Sequence, residues 1–398
     1  MESNLGAWNL GHSKLGQWST DRLEQELIAS GGGSSNPTDH RVRTRPSPGI
    51  FPATASVHSY SDVRPCRCFR VPFASMVRVL VTRRPLGGVT ERLSASHHVS
   101  VWPEDRAMPR VDLLGAVAGV EGLYCFLTDR IDSELLERAP SLKAISQMAV
   151  GGDNVDLEAA TARKIPVGHT PDVLTDTTAD LAVALLLALL RRIPEAAAYV
   201  ATGQWGEWQI DLLLGADLHH TTAGIIGMGR IGRAVAQRLA GFDCQILYSG
   251  RRRQATEPAG AVFVPPDELL ARSDHVIVTA SLNPATHHLI DGEALSKMKP
   301  TATLVNVARG ALVDNLALAD ALRRGVIAAA ALDVTEPEPI PTDHPLLGLA
   351  NCLIVPHVGS ATRRTRQAMA DLATDNLLAG LAGRPMPACV NPEVYEPG

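Results

Sequence analysis

Residues Gly224 to Gly232 read Gly-Ile-Ile-Gly-Met-Gly-Arg-Ile-Gly, and the fold is decided by how this stretch is read. Its glycines at 227, 229 and 232 have G-x-G-x-x-G spacing, which alone turns up by chance in Gly-rich chains. The context is what gives it meaning. An apolar run, Ala223 to Ile226, precedes it, and a helical pattern, Ile231 to Leu239, follows. A strand passing through a tight Gly turn into a helix is the signature of a dinucleotide site. Gly227 permits the turn, Gly229 lets backbone approach a pyrophosphate, and Gly232 lets the helix pack closely on the strand. The helix N-terminus adds free N–H groups and the positive end of its dipole.

Working outward, five further strands follow the first: Gln245 to Tyr248, His275 to Thr279, Thr303 to Asn306, Ala328 to Leu332 and Leu353 to Val355. With helices between them, these six strands predict a full doubly wound sheet. Upstream, strands are expected at Val77 to Val81, His98 to Val101, Gly122 to Leu127, Ala144 to Val150 and Ile165 to Val167. Asp132 is placed to cap a helix starting at Ser133. An apolar helix, Thr178 to Leu190, joins the halves. A last helix, about Thr362 to Leu381, has no strand after it and is free to return to the first half. The expected fold is α/β, with two doubly wound parallel-sheet domains and a cleft between them. The first is flavodoxin-like and discontinuous, residues 76–176 and 359–391. The second is a Rossmann domain, residues 177–358.

Residues 1–75 read differently, with Gly31-Gly32-Gly33-Ser34-Ser35, Arg41, Arg43 and Arg45 among prolines, and little periodicity. Such a composition cannot bury enough apolar surface to offset chain entropy, so disorder is expected. No apolar core follows a basic start, against a secretory signal. An organellar transit role stays open, although Glu2, Asp21, Glu24 and Glu26 are unusual in one. Translation starting at Met76 is the other reading. The six cysteines lie too far apart for a disulfide framework or a CxxC zinc site, which fits a reducing, cytoplasmic setting. A net charge of −5 gives no reason to expect nucleic acid. The longest apolar run, Leu181 to Leu190, is half of the ~20 residues that cross a bilayer.

Which dinucleotide binds is read at the end of the second strand. An NAD site usually carries Asp or Glu there to hold the ribose hydroxyls. Here stand Ser249, Gly250, Arg251, Arg252 and Arg253, with no acid between Cys244 and Gln254. A carboxylate would repel a 2′-phosphate, whereas guanidinium forks bind it. NADPH is therefore preferred, with NADH the alternative if the arginines are only a solvated loop. Three more strand ends carry chemistry: Val305 to Gly310 with Arg309, Ala331 to Pro339 with Asp333 and Glu338, and Val355 to Thr362 with His357. Ligands of doubly wound sheets sit outside the carboxyl ends of the strands, so these groups converge on one cleft.

With these segments, and with Ala149 to Asp156 (AVGGDNVD) and Thr170 to Ala182 (TPDVLTDTTADLA), the chain resembles the D-isomer-specific 2-hydroxyacid dehydrogenases from Met76 to about Asn391. Within them it is most similar to glyoxylate/hydroxypyruvate reductases. The resemblance implies that His357 gives a proton to the substrate carbonyl oxygen while hydride reaches the carbon. Glu338 would hold the other ring nitrogen; the family's spacing of five residues after the aspartate selects it over Glu336. Arg309 would clamp the carboxylate of a 2-keto acid, with Val150 and Gly151 binding it from the opposite wall. Arg230, Ile231, Ser281, Val307, Asp333 and Gly359 line up with cofactor contacts, Asp333 at the nicotinamide carboxamide. Gly152 stands where many relatives have a bulky residue, which leaves chain-length preference open. A homodimer is implied, with Trp205 and Trp208 in the connection that reaches the partner.

Two other functions fit the same motifs: a reductase for another D-2-hydroxy acid, and a corepressor that senses dinucleotides without catalysis. Retention of Arg309, Glu338 and His357 together favours the enzyme. No metal is expected. The pairs His219-His220 and His287-His288 invite one, but neighbours on a strand or helix point apart, and no acid or cysteine stands at ligand spacing. His344 reads as a loop residue.

Overall fold

The computed structural model describes residues 76–396. The expectations for residues 1–75 lie outside the described residues. Five parallel strands, β1 (Arg78–Val81), β2 (His98–Val101), β3 (Gly122–Cys125), β4 (Ala144–Gln147) and β5 (Val167–Gly168), make the first sheet in the order β2-β1-β3-β4-β5. That is the flavodoxin-type order. β3 and β4 are buried at every residue, as a sheet covered on both faces requires. Asp132 caps the helix Ser133–Arg138 as expected, its Oδ1 accepting from the Leu135 N–H at 3.1 Å.

The second sheet holds β6 (Thr222–Ile226), β7 (Gln245–Ser249), β8 (Val262–Phe263), β9 (His275–Val278), β10 (Thr303–Asn306), β11 (Ala329–Leu332) and β12 (Cys352–Ile354). Their order is β12-β11-β10-β9-β6-β7-β8, the Rossmann order with one strand added beyond β11. There are seven strands rather than the six expected. The extra one, β8, is a two-residue edge strand whose Val262 and Phe263 pair with Leu247 and Tyr248. Two residues have no periodicity to read, so only the pairing reveals it.

The apolar helix starts three residues earlier than expected, spanning Thr175–Leu190. It is apolar nearly all round because it is buried between elements: Ala179, Ala182, Leu185 and Leu186 pack with Ile225, Val235, Leu239 and Ile277. Arg192, at φ +51°, turns the chain into a second helix, Ile193–Ala201, with Pro194 in its first turn and no buried residue. The last helix, Arg363–Leu381, is capped by Thr362 and lies on the first sheet. Its Met369, Ala370, Ala373 and Leu377 pack with Val79, Tyr124 and Ala144. The Ser146 hydroxyl donates to Ala373 O at 2.7 Å, and Asn376 Nδ2 to His169 O at 2.8 Å. Beyond it, Asn391 finishes the edge of β5, accepting from Val167 N–H at 2.8 Å and donating to Ile165 O at 3.0 Å.

One buried group makes the second sheet acid-sensitive. His275 in β9 is 3% exposed, with Nδ1 2.9 Å from the Thr303 hydroxyl. Burial disfavours the charged ring and pulls its pKa from 6.5 to about 4, against the opposing pull of Asp274. A folded-state pKa below the unfolded one gives stability that is complete above about pH 6.5 and is lost as pH falls toward 4. The loss over that window is on the order of 3 kcal/mol. Urea midpoints at pH 7, 5.5 and 4.5 check this: wild type should fall more steeply with acid than His275→Asn. Parallel slopes would show that His275 does not titrate in this range.

Candidate active site

The turn after β6 has the shape its glycines demand. Gly227 sits at φ +100°, and a Cβ there would lie 2.6 Å from Ala280 Cα. A Cβ on Gly232 would meet Gly227 O at 2.2 Å, whereas one on Gly229 would project into open space. So Gly227 and Gly232 are needed for packing, and Gly229 leaves room for something to approach. The helix Arg230–Ala240 that follows has no side-chain cap, so its first N–H groups remain free. This cradle suits the pyrophosphate of a nicotinamide dinucleotide. The Thr279 hydroxyl donates to Gly227 O at 2.6 Å and holds the turn against the end of β9.

At the end of β7, Ser249 is buried, while Gly250, Arg251 and Arg252 are exposed. Arg251 and Arg252 have no ion pair among the described residues; Arg253 is paired to Glu257 at 2.7 Å. Arg230 forms a 2.6 Å ion pair with Asp172.

The strand ends surround a cavity of about 470 Å³. Val150 and Gly151 line one side; Ile231, Ser281, Val307, Arg309, Asp333, His357 and Gly359 line it from the second sheet. The cavity is of a size to hold a small ligand together with part of a cofactor. A Cβ on Gly151 would overlap the ends of the Arg309 and Asp153 side chains, so a larger residue there would displace that pair. Gly152 also lines the wall, and a Cβ there would touch only Leu157, at 3.7 Å. The wall therefore has room for a larger residue at Gly152.

Behind the cavity wall, Glu338 Oε1 lies 2.6 Å from His357 Nδ1, leaving Nε2 as the ring nitrogen open to a ligand. His357 has φ +52°, and Asp333 holds this conformation: its O accepts from His357 N–H at 2.9 Å. The Asp333 carboxylate, buried at 2% exposure, accepts from Val358 N–H at 2.6 Å and Gly359 N–H at 2.9 Å. Burial pushes that carboxyl up, opposed by the Val358 N–H and by His357. Arg309 is oriented by its own loop, with Nη1 donating to Ala308 O at 2.8 Å.

Three residues at the site were not singled out by sequence. Asp153, inside the AVGGDNVD stretch, accepts from Arg309 Nε at 3.0 Å and bridges the two walls. Asp172 takes Arg230. Arg366, on the last helix, lines the cavity, and burial pulls its guanidinium below its ordinary pKa. None has a local signal: Asp153 and Asp172 meet their arginines, and Arg366 meets the cavity, only through tertiary packing.

The argument against the histidine pairs needs correction at His287-His288. Their rings do not point apart: they stack at 4.0 Å with 27° between planes. The reason is His288 at φ +50°, a left-handed residue that undoes the usual alternation. An acid is also present. Glu336, 48 residues on, lies 3.0 Å from His288 Nε2. His344 is in a turn, its Nδ1 accepting from Leu346 N–H at 3.2 Å. Among the described residues no helix is long and apolar enough to cross a membrane.

The chain is similar to known proteins over most of its length. The family described as D-isomer specific 2-hydroxyacid dehydrogenase, NAD binding domain, matches residues 183–359. The chain is 49% identical over 319 residues to a Homo sapiens glyoxylate reductase/hydroxypyruvate reductase, covering 79% of this chain and 97% of the relative. It is 46% identical over 326 residues to a glyoxylate reductase of Thermococcus gammatolerans, covering 80% and 97%. Among solved structures, a Thermus thermophilus protein superposes with a TM-score of 0.75 at 48% identity, over 79% of this chain and 100% of that one. An NADPH-dependent glyoxylate/hydroxypyruvate reductase of Sinorhizobium meliloti, in complex with NADP and malonate, superposes at 0.72 with 34% identity, over 81% and 99%. With identity near one half across almost the full length of such relatives, the chain is an oxidoreductase that belongs to the D-isomer-specific 2-hydroxyacid dehydrogenase family.

Proposed function

We propose that this chain reduces glyoxylate and hydroxypyruvate, to glycolate and D-glycerate, with NADPH. The observation that carries the reading is the His357–Glu338 pair meeting Arg309 on one cavity beside the glycine turn. Relatives named for these two activities support it. The turn at Gly227, Gly229 and Gly232 would hold the pyrophosphate of NADPH, and Ser249, Gly250, Arg251 and Arg252 its 2′-phosphate; the bound cofactor would supply the hydride. Ile231, Ser281, Val307, Asp333 and Gly359 complete the nicotinamide side. Arg309 clamps the substrate carboxylate against the backbone of Val150 and Gly151, taking it in exchange for Asp153. His357 gives its Nε2 proton to the carbonyl oxygen as the carbon is reduced, while Glu338 keeps the ring from turning. In this reading residues 76–176 and 359–391 are the substrate domain and residues 177–358 the cofactor domain. The last helix on the first sheet supports that division.

Oxidation of NADPH with glyoxylate or hydroxypyruvate as sole acceptor tests the activity. Tight NADPH binding without turnover of any 2-keto acid would favour the corepressor. Coenzyme choice has its own test in Ser249→Asp combined with Arg251→Ala. This removes about two charge-assisted hydrogen bonds, roughly 3 kcal/mol or more. NADPH efficiency should fall on the order of 100-fold while NADH loses little. A wild type that already prefers NADH would show that the arginines are a solvated loop.

The homodimer is the remaining part of the proposal. Trp208 is 78% and Ile210 81% exposed, with Trp205 and Leu214 nearby in sequence and also exposed. An apolar stretch of this kind is a candidate for burial against a second copy. Sedimentation should give a dimer, and Trp208→Asp with Ile210→Asp a monomer. A monomeric wild type would remove this part. A reducing, cytoplasmic setting is proposed from the wide spacing of the six cysteines in the sequence.

A further inference from the structure

We propose that His287, His288 and Glu336 form a site for a divalent first-row transition ion, outside the catalytic cavity and independent of the reading above. The Glu336 carboxylate faces both rings, Oε2 at 3.0 Å from His288 Nε2 and Oε1 at 3.8 Å from His287 Nε2. The three ligand atoms lie within 4.8 Å of one another. Among the described residues, no other three His, Cys, Asp or Glu side chains come this close. None of the three lines the cavity.

The backbone under the site is already ordered. The His288 N–H donates to Ala311 O at 2.7 Å, and the His287 N–H to Asn283 O at 3.1 Å. On the other side, Asn315 Nδ2 donates to Glu336 O at 3.0 Å. Left-handed His288 then turns its ring onto that of His287, so both Nε2 atoms meet one carboxylate. An ion about 2.0–2.2 Å from each donor requires the ligand atoms to close in by roughly an ångström. The side chains are partly exposed and can make that movement without shifting backbone. Two imidazoles and one carboxylate suit zinc, cobalt, nickel or copper over magnesium or calcium, which prefer all-oxygen sites. Three protein donors leave at least one position for water.

The test uses the full chain, treated with chelator and titrated with Zn²⁺ by calorimetry, and with Co²⁺ by visible absorption. Wild type should take up one more ion per chain than His287→Ala with His288→Asn. Asparagine is chosen because it tolerates the left-handed backbone. Co²⁺ in this site should show ligand-field bands without the thiolate charge-transfer band that a cysteine site would give. Glu336→Gln keeps the shape of the side chain and should weaken Zn²⁺ by more than the roughly tenfold that loss of a group supporting a ligand costs, because Glu336 is itself a ligand. All variants should keep the wild-type melting temperature in chelator, separating lost binding from lost fold. Equal stoichiometry in wild type and the double histidine variant would overturn the proposal, as would unchanged affinity in Glu336→Gln.

Discussion

His357→Ala is expected to lower kcat for 2-keto acid reduction by roughly 10²–10⁴ while NADPH binding persists. Loss of a positioned proton donor costs rates of that order. The glycine turn and the end of β7, which we propose hold the dinucleotide, lie in other loops than His357. The expected signature is thus a fall in kcat with an unchanged NADPH dissociation constant, measured by fluorescence titration. Glu338→Gln should give a smaller loss, since an amide oxygen still accepts from Nδ1 at the place where Oε1 now lies 2.6 Å away. A His357→Ala enzyme with near-normal kcat would refute the assignment of the proton donor.

Removing Arg309 should be nearly as damaging, but in a different kinetic pattern. Its guanidinium is the cationic fork on the cavity wall beside Gly151 and already holds a carboxylate, that of Asp153, at 3.0 Å. A substrate carboxylate bound in the same manner makes about two charge-assisted bonds, roughly 1.5–3 kcal/mol each. Arg309→Ala should therefore cost on the order of 10²–10⁴ in kcat/KM. Arg309→Lys keeps the charge but loses the planar fork, and should fall between the two. Both KM and kcat should suffer, because the residue binds the ground state and orients the carbonyl in the transition state. A change in KM alone would make Arg309 a binding group only.

The sequence was most legible where a function is written into local backbone. The turn at Gly227, Gly229 and Gly232 is such a case: three glycines at fixed spacing impose the conformation, and φ +100° at Gly227 agrees. Strand–helix alternation made both sheets readable, because a strand buried on both faces is a continuous apolar run. Resemblance, rather than spacing alone, selected Glu338 over Glu336; Glu338 lies against His357 and Glu336 against His288. The edge strand β8 and the helix Ile193–Ala201 were not read, the first being two residues long and the second lacking any buried face.

Tertiary structure alone decided what meets across the molecule. Asp153 finds Arg309 across 156 positions of sequence, and Arg366 reaches the cavity because the last helix lies on the first sheet. The clearest case is His287-His288. Alternation along a strand or helix says that neighbours diverge, and that holds while the backbone stays in a regular region. One left-handed residue reverses it, and Glu336 arrives from the loop after β11, 48 positions away. A residue's own neighbours determine strand, helix and turn, through short-range sterics and periodicity. Which side chains share a site depends on sheet order and loop conformation, and these are set by packing of the whole chain.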